Sequence, residues 1–364
     1  MEALVFLLIV LLVVLVFTFT NGFHDAANAI ATVVSTKVLT PRQAVILAAI
    51  TNLIGALGGT AVAKTIGEGM VDIHFITVYT VFYAMLAGII WNLVTWYFGI
   101  PSSSSHALIG GLLGAALAAA RNNWSVVLWS YHKTNATSGA SSWEGILPKV
   151  VLPMITSPVL GFVGAFLLMG LLFALVRNWR PFWVNRTFGH AQLVSATYMG
   201  WAHGFADGQK TMGVMALALF AAGQSIDWTT APSWLQFLHT PTFDIATWVK
   251  WCCGIAMAAG TYVGGWRIIR TLGHKLVRIK PIQGFAAECT GATILFVAGT
   301  FGMPISTTHA ITTSIMGAGC ARRFSALNYP LVEQILWTWL LTIPATAGIA
   351  YLFVRLASAL GFST

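Results

Sequence analysis

The stretch NGFHDAAN, residues 21–28, governs how the rest of the chain is read. It follows eighteen uncharged, mostly apolar residues, Ala3 to Thr20, and leads into another uncharged run that ends at Thr36. An ionisable pair such as His24 and Asp25 is expensive inside an apolar segment and is kept there mainly to serve an ion or substrate path.

The remainder of the sequence has the same character. Of the 364 residues, 57% are hydrophobic and 8% charged, where a soluble domain carries about a quarter charged residues; mean hydropathy is +0.79. Uncharged runs cover 43–63, 75–120 (where only His106 can ionise), 150–176, 251–266 and 334–354. Asp207 and Lys210 interrupt 191–226, and Glu288 interrupts 281–321. A membrane helix needs about 20 apolar residues, so the chain reads as a multi-pass protein of the cell membrane, with the lipid bilayer as its solvent. Residues 3–20 lack a basic flank and are read as a retained first helix rather than a signal peptide. Cys252, Cys253, Cys289 and Cys320 lie in or beside apolar runs and form no disulfide framework.

The net charge of +9 is no nucleic-acid footprint, because basic residues in a membrane protein mark its cytoplasmic loops. Twelve of the nineteen Lys and Arg fall in 37–42, 177–190, 267–280 and 322–323. Placing these inside puts both termini outside, with membrane units at 3–36, 43–63, 75–98, 101–120, 150–176, 191–222, 246–266, 283–301, 303–321 and 334–354. Units 3–36 and 191–222 exceed one straight span, so a break is expected in each at its polar motif.

The motifs occur twice. NGFHDAAN (21–28) aligns with HGFADGQK (203–210), and GIPSSSSHA (99–107) aligns with GMPISTTHA (302–310). Matched units run in opposite directions along the charge-derived path. The expected fold is therefore an all-α polytopic membrane protein, an inverted-topology repeat with broken helices or re-entrant hairpins and about 10–12 membrane segments. Its parts are 1–122 as first repeat, 123–190 as connecting loop, linking helix and basic loop, 191–323 as second repeat, and 324–364 as a final helix.

Proline followed by hydroxyls suits a helix start, so new helices are expected from Pro101 and Pro304. Free N–H groups at such starts attract anions, and Ser103, Ser104, Ser105, Ser306, Thr307 and Thr308 add neutral donors. The competing reading is that these hydroxyls only satisfy kinked backbone. Asp25 and Asp207 are the coupling-ion candidates, with His24, Asn52 and Glu288 in the same role; either Asp could instead cap a broken helix. Glu288, without an acidic counterpart in the first half, is a proton or cation carrier or an edge residue near the cytoplasmic side. Asn28 and Gln209 offer neutral polar groups, and Lys210 suits an anion contact or a pair with Asp207. His106 and His309 rank behind these. An intramembrane hydrolase using Ser105, His106 and Asp207, or an anion channel, is an alternative from another class; the duplicated motifs favour a transporter.

NGFHDAANAIAT, HGFADGQKTMG, GIPSSSSHA and GMPISTTHA together resemble the inorganic phosphate transporter (PiT) family over nearly the whole chain. The resemblance implies secondary transport of phosphate driven by a proton or sodium gradient, with no cofactor, in a homodimer. It places phosphate and cations around Asp25, Asn28, Ser103, Ser104, Ser105, Asp207, Lys210, Ser306, Thr307 and Thr308. The usual signature is Gly-Ala-Asn-Asp, whereas this chain has Gly22-Phe23-His24-Asp25 and Gly204-Phe205-Ala206-Asp207. Members resembling the His form are proton symporters that carry phosphate as a neutral metal complex, so protons are expected over sodium, and Asp25 and Asp207 are expected to contact either sodium or a divalent metal carried with phosphate. Relatives that carry sulfate make sulfate the alternative anion.

Overall fold

Regular structure in this computed structural model, which describes residues 2–134 and 141–362, is almost entirely α-helical. The first half supplies α1 (Glu2–Ser35), α2 (Pro41–Ala56), α3 (Ala61–Glu68), α4 (Val78–Phe98), α5 (Ser104–Ala119) and α6 (Leu152–Val176). The second supplies α7 (Pro181–Ser225), α8 (Thr247–Val263), α9 (Trp266–Arg270), α10 (Pro281–Thr300), α11 (Thr307–Cys320) and α12 (Tyr329–Ala359). A short antiparallel hairpin, β1 (Tyr131–Thr134) and β2 (Ser141–Glu144), pairs Tyr131 with Glu144.

Among the described residues, five helical stretches are long and apolar enough to cross a membrane: α1, α4, Leu147–Val176, α10 and α12. The pair α2 and α3 makes a sixth if its 70° bend is counted as a broken span. The surface agrees with a lipid environment. On α6, Ile155, Val159, Val163, Leu167 and Leu171 form an exposed apolar row, while Ser157, Gly161, Ala165 and Met169 face inward. A continuous apolar stripe of this kind is a liability in water and a requirement in hydrocarbon.

Packing follows one pattern in both halves. α1 lies on α8 as α7 lies on α2; α4 meets α5 as α10 meets α11; α5 meets α12 as α11 meets α6. Two glycine crossings hold the long helices. A Cβ on Gly22 would overlap the backbone of Met257, and one on Gly204 would overlap that of Asn52. Small residues at a helix crossing let backbones approach closely, which compensates for the missing hydrophobic drive in lipid.

Two hydrophobic cores result. One takes Leu7 to Phe17 of α1 and Met212 to Ala222 of α7; the other takes Ala27 to Val33 of α1 and Phe188 to Ala206 of α7. Each long helix thus runs from one core to the other and carries its polar motif across the junction.

Two expectations about backbone breaks are corrected here. α1 and α7 pass through residues 21–28 and 203–210 without interruption. Neither motif contains proline, and the motif side chains bond to neighbouring helices, so nothing there breaks the helical ladder. The breaks fall in the next helix of each half, at Leu57–Thr60 between α2 and α3 and at Gly264-Gly265 between α8 and α9, where Gly264 has φ +75°. The helices expected from Pro101 and Pro304 instead begin at Ser104 and Thr307. Gly99 and Gly302 end the preceding helices with φ +67° and +65°, a conformation glycine adopts without steric cost. The prolines lie in the extended link that follows.

Candidate functional site

Spacing on two uninterrupted helices aligns the charged groups. Asp25 and Asn28 are three residues apart on α1; His203, Asp207 and Lys210 occupy positions i, i+4 and i+7 on α7, and such residues share a face. All five are buried. Against them come the starts of α5 and α11. Ser103 accepts the N–H of His106 at 3.1 Å and Ser306 accepts that of His309 at 3.2 Å. These caps leave the first N–H groups of each helix without an intrahelical partner. α11 has every residue buried, and at 14 residues is only ~21 Å long, too short to span the ~30 Å hydrocarbon core unaided.

The halves interlock at this point. Asn28 Nδ2 donates to Thr307 Oγ1 at 3.1 Å and to Thr308 Oγ1 at 3.0 Å. Thr307 donates to Asp207 Oδ2 at 3.1 Å, and Thr308 donates to Asp25 Oδ1 at 3.4 Å. Lys210 Nζ donates to Asp207 Oδ1 at 2.5 Å, to Ser105 Oγ at 2.5 Å and to the carbonyl of Ile305 at 2.6 Å. Each aspartate therefore reaches the second-half hydroxyls, and the lysine of the second half reaches a first-half serine. His106 and His309 meet edge to face, with ring centroids 4.8 Å apart.

Around this centre the other predicted residues divide. His24 joins directly, with Nδ1 2.7 Å from Asp25 Oδ1 and Nε2 3.1 Å from Thr95 Oγ1. Asn52 supports from behind: its Oδ1 is 3.1 Å from His203 Nδ1, and its Nδ2 donates to Thr261 at 2.9 Å. Ser104 is buried with an unpartnered hydroxyl. Ser103 and Ser306 are engaged as caps. Gln209 points away from the aspartates, accepting the N–H of Val62 at the start of α3 and donating to the Phe205 carbonyl. Glu288 sits in its own buried polar cluster, bonded to Thr32 at 2.5 Å, to Gln192 at 3.1 Å and to Ser195.

His203, Thr95 and Ser102 were missed from sequence. His203 could have been found, since it lies one helical turn before Asp207 inside a duplicated motif. Its Nε2 is 3.4 Å from Asp207 Oδ2. Asp25, His203 and Asp207 each offer a ligand atom, and these atoms lie within 4.8 Å of one another. Thr95 and Ser102 back His24 from α4 and the following link, contacts that no local pattern announces.

Thr307 carries the link between Asn28 and Asp207. Thr307→Val removes a donor to a carboxylate, an interaction worth about 1.5–3 kcal/mol, so thermal melting in detergent should shift down. Thr307→Ser should restore it. Unchanged melting of the valine variant would show that Thr307 does not hold the two halves together.

Long helices that hold carboxylates, a lysine and hydroxyls at a buried junction define a polytopic membrane protein organised around an internal polar site. The chain belongs to the phosphate transporter family, whose model matches residues 21–350. A Bacillus subtilis (strain 168) protein described as a "probable low-affinity inorganic phosphate transporter" is 40% identical over 358 residues, covering 97% of this chain and 98% of its own length. One from Rhizobium meliloti (strain 1021) with the same description is 44% identical, covering 92% and 91%. A solved structure of "the sodium-dependent phosphate transporter" has the same fold, with TM-score 0.79, 23% identity and coverage of 98% and 99%. These relatives are named as transporters rather than enzymes, which removes the hydrolase alternative.

Proposed function

We propose that this protein imports inorganic phosphate by cation symport, through alternating access of two inverted-topology repeats. One observation carries the reading: a single buried cluster draws Asp25, Asn28 and Ser105 from the first half and Asp207, Lys210, Thr307 and Thr308 from the second. A site built from both halves is reshaped when the halves rock against each other, which alternating access requires. The ring of neutral donors, one lysine and two helix starts fits a tetrahedral oxyanion.

Protons are favoured over sodium as the coupling ion. His24 stands where the family signature has Asn, and its Nδ1 lies 2.7 Å from Asp25 Oδ1, within reach for the two to share a proton. Asp25, His203 and Asp207 form an oxygen and nitrogen set that suits a divalent cation travelling with phosphate as cargo. The basic connections mark the cytoplasmic side, with both termini outside.

The test is labelled-phosphate uptake by the purified protein in proteoliposomes, under an imposed proton or sodium gradient, with unlabelled sulfate as competitor. Proton-driven accumulation that resists sulfate is expected, increased when a divalent cation is supplied. Sodium-driven accumulation would replace the coupling ion. Absence of uptake, or its abolition by sulfate, would overturn the phosphate assignment.

A further inference from the structure

We propose that the cleft between the α9–α10 connection and the α11–α12 connection binds the headgroup of an anionic phospholipid, with an acyl chain in the apolar groove beside it. The cleft encloses about 500 Å³. Lys275, Arg278, Lys280, Arg322 and Arg323 line it, and no carboxylate does. All five are exposed, and none takes part in an ion pair among the described residues.

Loop orientation in the membrane explains why these segments are basic. It does not require residues some forty positions apart to converge on one concavity. Specific bonds hold them there. Asn328 donates its N–H to the Leu276 carbonyl at 3.1 Å and its Nδ2 to the Lys275 carbonyl at 3.2 Å. Gln283 donates to the Ala318 carbonyl at 3.2 Å, tying the start of α10 to the end of α11. Buried Leu276, Val277 and Ile279 anchor the strip that carries the cations. Five like charges fixed around one space repel each other, and a phosphate ester removes that repulsion while giving arginine a partner it can grip through two bonds.

The adjoining groove selects a lipid over a soluble phosphate. A second cavity of about 300 Å³ is lined by Phe173, Lys280, Ile282, Gln283 and Arg322. Three of these residues also line the cleft. Phe173 belongs to α6, the helix with the exposed apolar row, and is itself exposed. The path therefore leads from basic walls to a groove where Phe173 and Ile282 meet the side chains of Lys280 and Arg322, beside the helix that carries the exposed apolar row. A soluble anion would use only the first part of it; a phospholipid uses both. Basic pockets between membrane helices are established binding places for anionic headgroups.

The test measures lipid retention by native mass spectrometry on the full chain in detergent, titrated with dioleoylphosphatidylglycerol or dioleoylphosphatidylcholine. Retention of phosphatidylglycerol should exceed that of phosphatidylcholine by about tenfold, one decade of affinity for the charged contacts. Arg278→Gln/Arg322→Gln should lose that preference. Arg180→Gln/Arg186→Gln, at the start of α7, should keep it, and thermal melting of both variants checks that they are folded. Three results would overturn the proposal: equal retention of the two lipids, equal loss in both double variants, or displacement of the lipid by millimolar glycerol 3-phosphate. The last would assign the cleft to a soluble phosphate ester.

Discussion

Asp207→Asn is expected to abolish phosphate uptake and to destabilise the protein by about 3–5 kcal/mol, the usual consequence of leaving one member of a buried ion pair without its counter-charge. Lys210 and Asp207 are both buried, and their 2.5 Å contact is the only pairing with a carboxylate that Lys210 makes among the described residues. Ser105 and the Ile305 carbonyl remain as dipoles, but neither neutralises an ammonium. The double variant Asp207→Asn/Lys210→Met removes the stranded charge and should recover most of the stability without recovering uptake. Melting in detergent, set beside uptake in proteoliposomes, separates the two effects. A single variant as stable as the parent would show that the pair does not hold the site together. Uptake by the double variant would remove Asp207 from the transport path.

Gly204→Ala should have the next largest effect, although alanine is the better helix former. A Cβ at this position overlaps the carbonyl and Cα of Asn52 on α2, and backbone cannot yield as a side-chain tip can. Overpacking of this kind costs about 1–3 kcal/mol. The displacement also reaches the chemistry, because Asn52 holds His203 and His203 sits beside Asp207. Lowered melting and strongly reduced uptake are expected together. Gly170→Ala serves as the control, since nothing lies within 4 Å of a Cβ there, and it should leave both unchanged. If Gly204→Ala behaves like the control, the close crossing of α2 and α7 is not what fixes the site.

Much of the protein was legible in one dimension. Long uncharged runs identify membrane helices because lipid accepts little else, and duplicated motifs identify the family because they survive as strings. The aspartates, Asn28, Lys210 and the hydroxyl clusters could be singled out because a polar group in an apolar run is costly wherever the run goes. Sequence alone allows Lys210 two roles, an anion contact or a partner for Asp207, and the structure shows the pairing.

Three features were not legible. Length and polarity predict breaks in α1 and α7, yet both helices continue through their motifs, whose polar side chains bond to other helices. From sequence Glu288 is either a proton or cation carrier or an edge residue near the cytoplasmic side; its bonds to Thr32, Gln192 and Ser195 come only with the fold. Gln209, part of the same motif as Asp207, points to the start of α3 instead.

The class of protein, the family and the inventory of polar groups inside the membrane follow from composition, spacing and repetition, which are properties of the chain as written. Which of these groups meet is settled only when the helices pack. Asn28 finds Thr307 across 279 residues, and Lys210 finds Ser105 across 105. Such contacts depend on how helices cross, and the crossings depend on glycines whose backbone neighbours lie in distant segments.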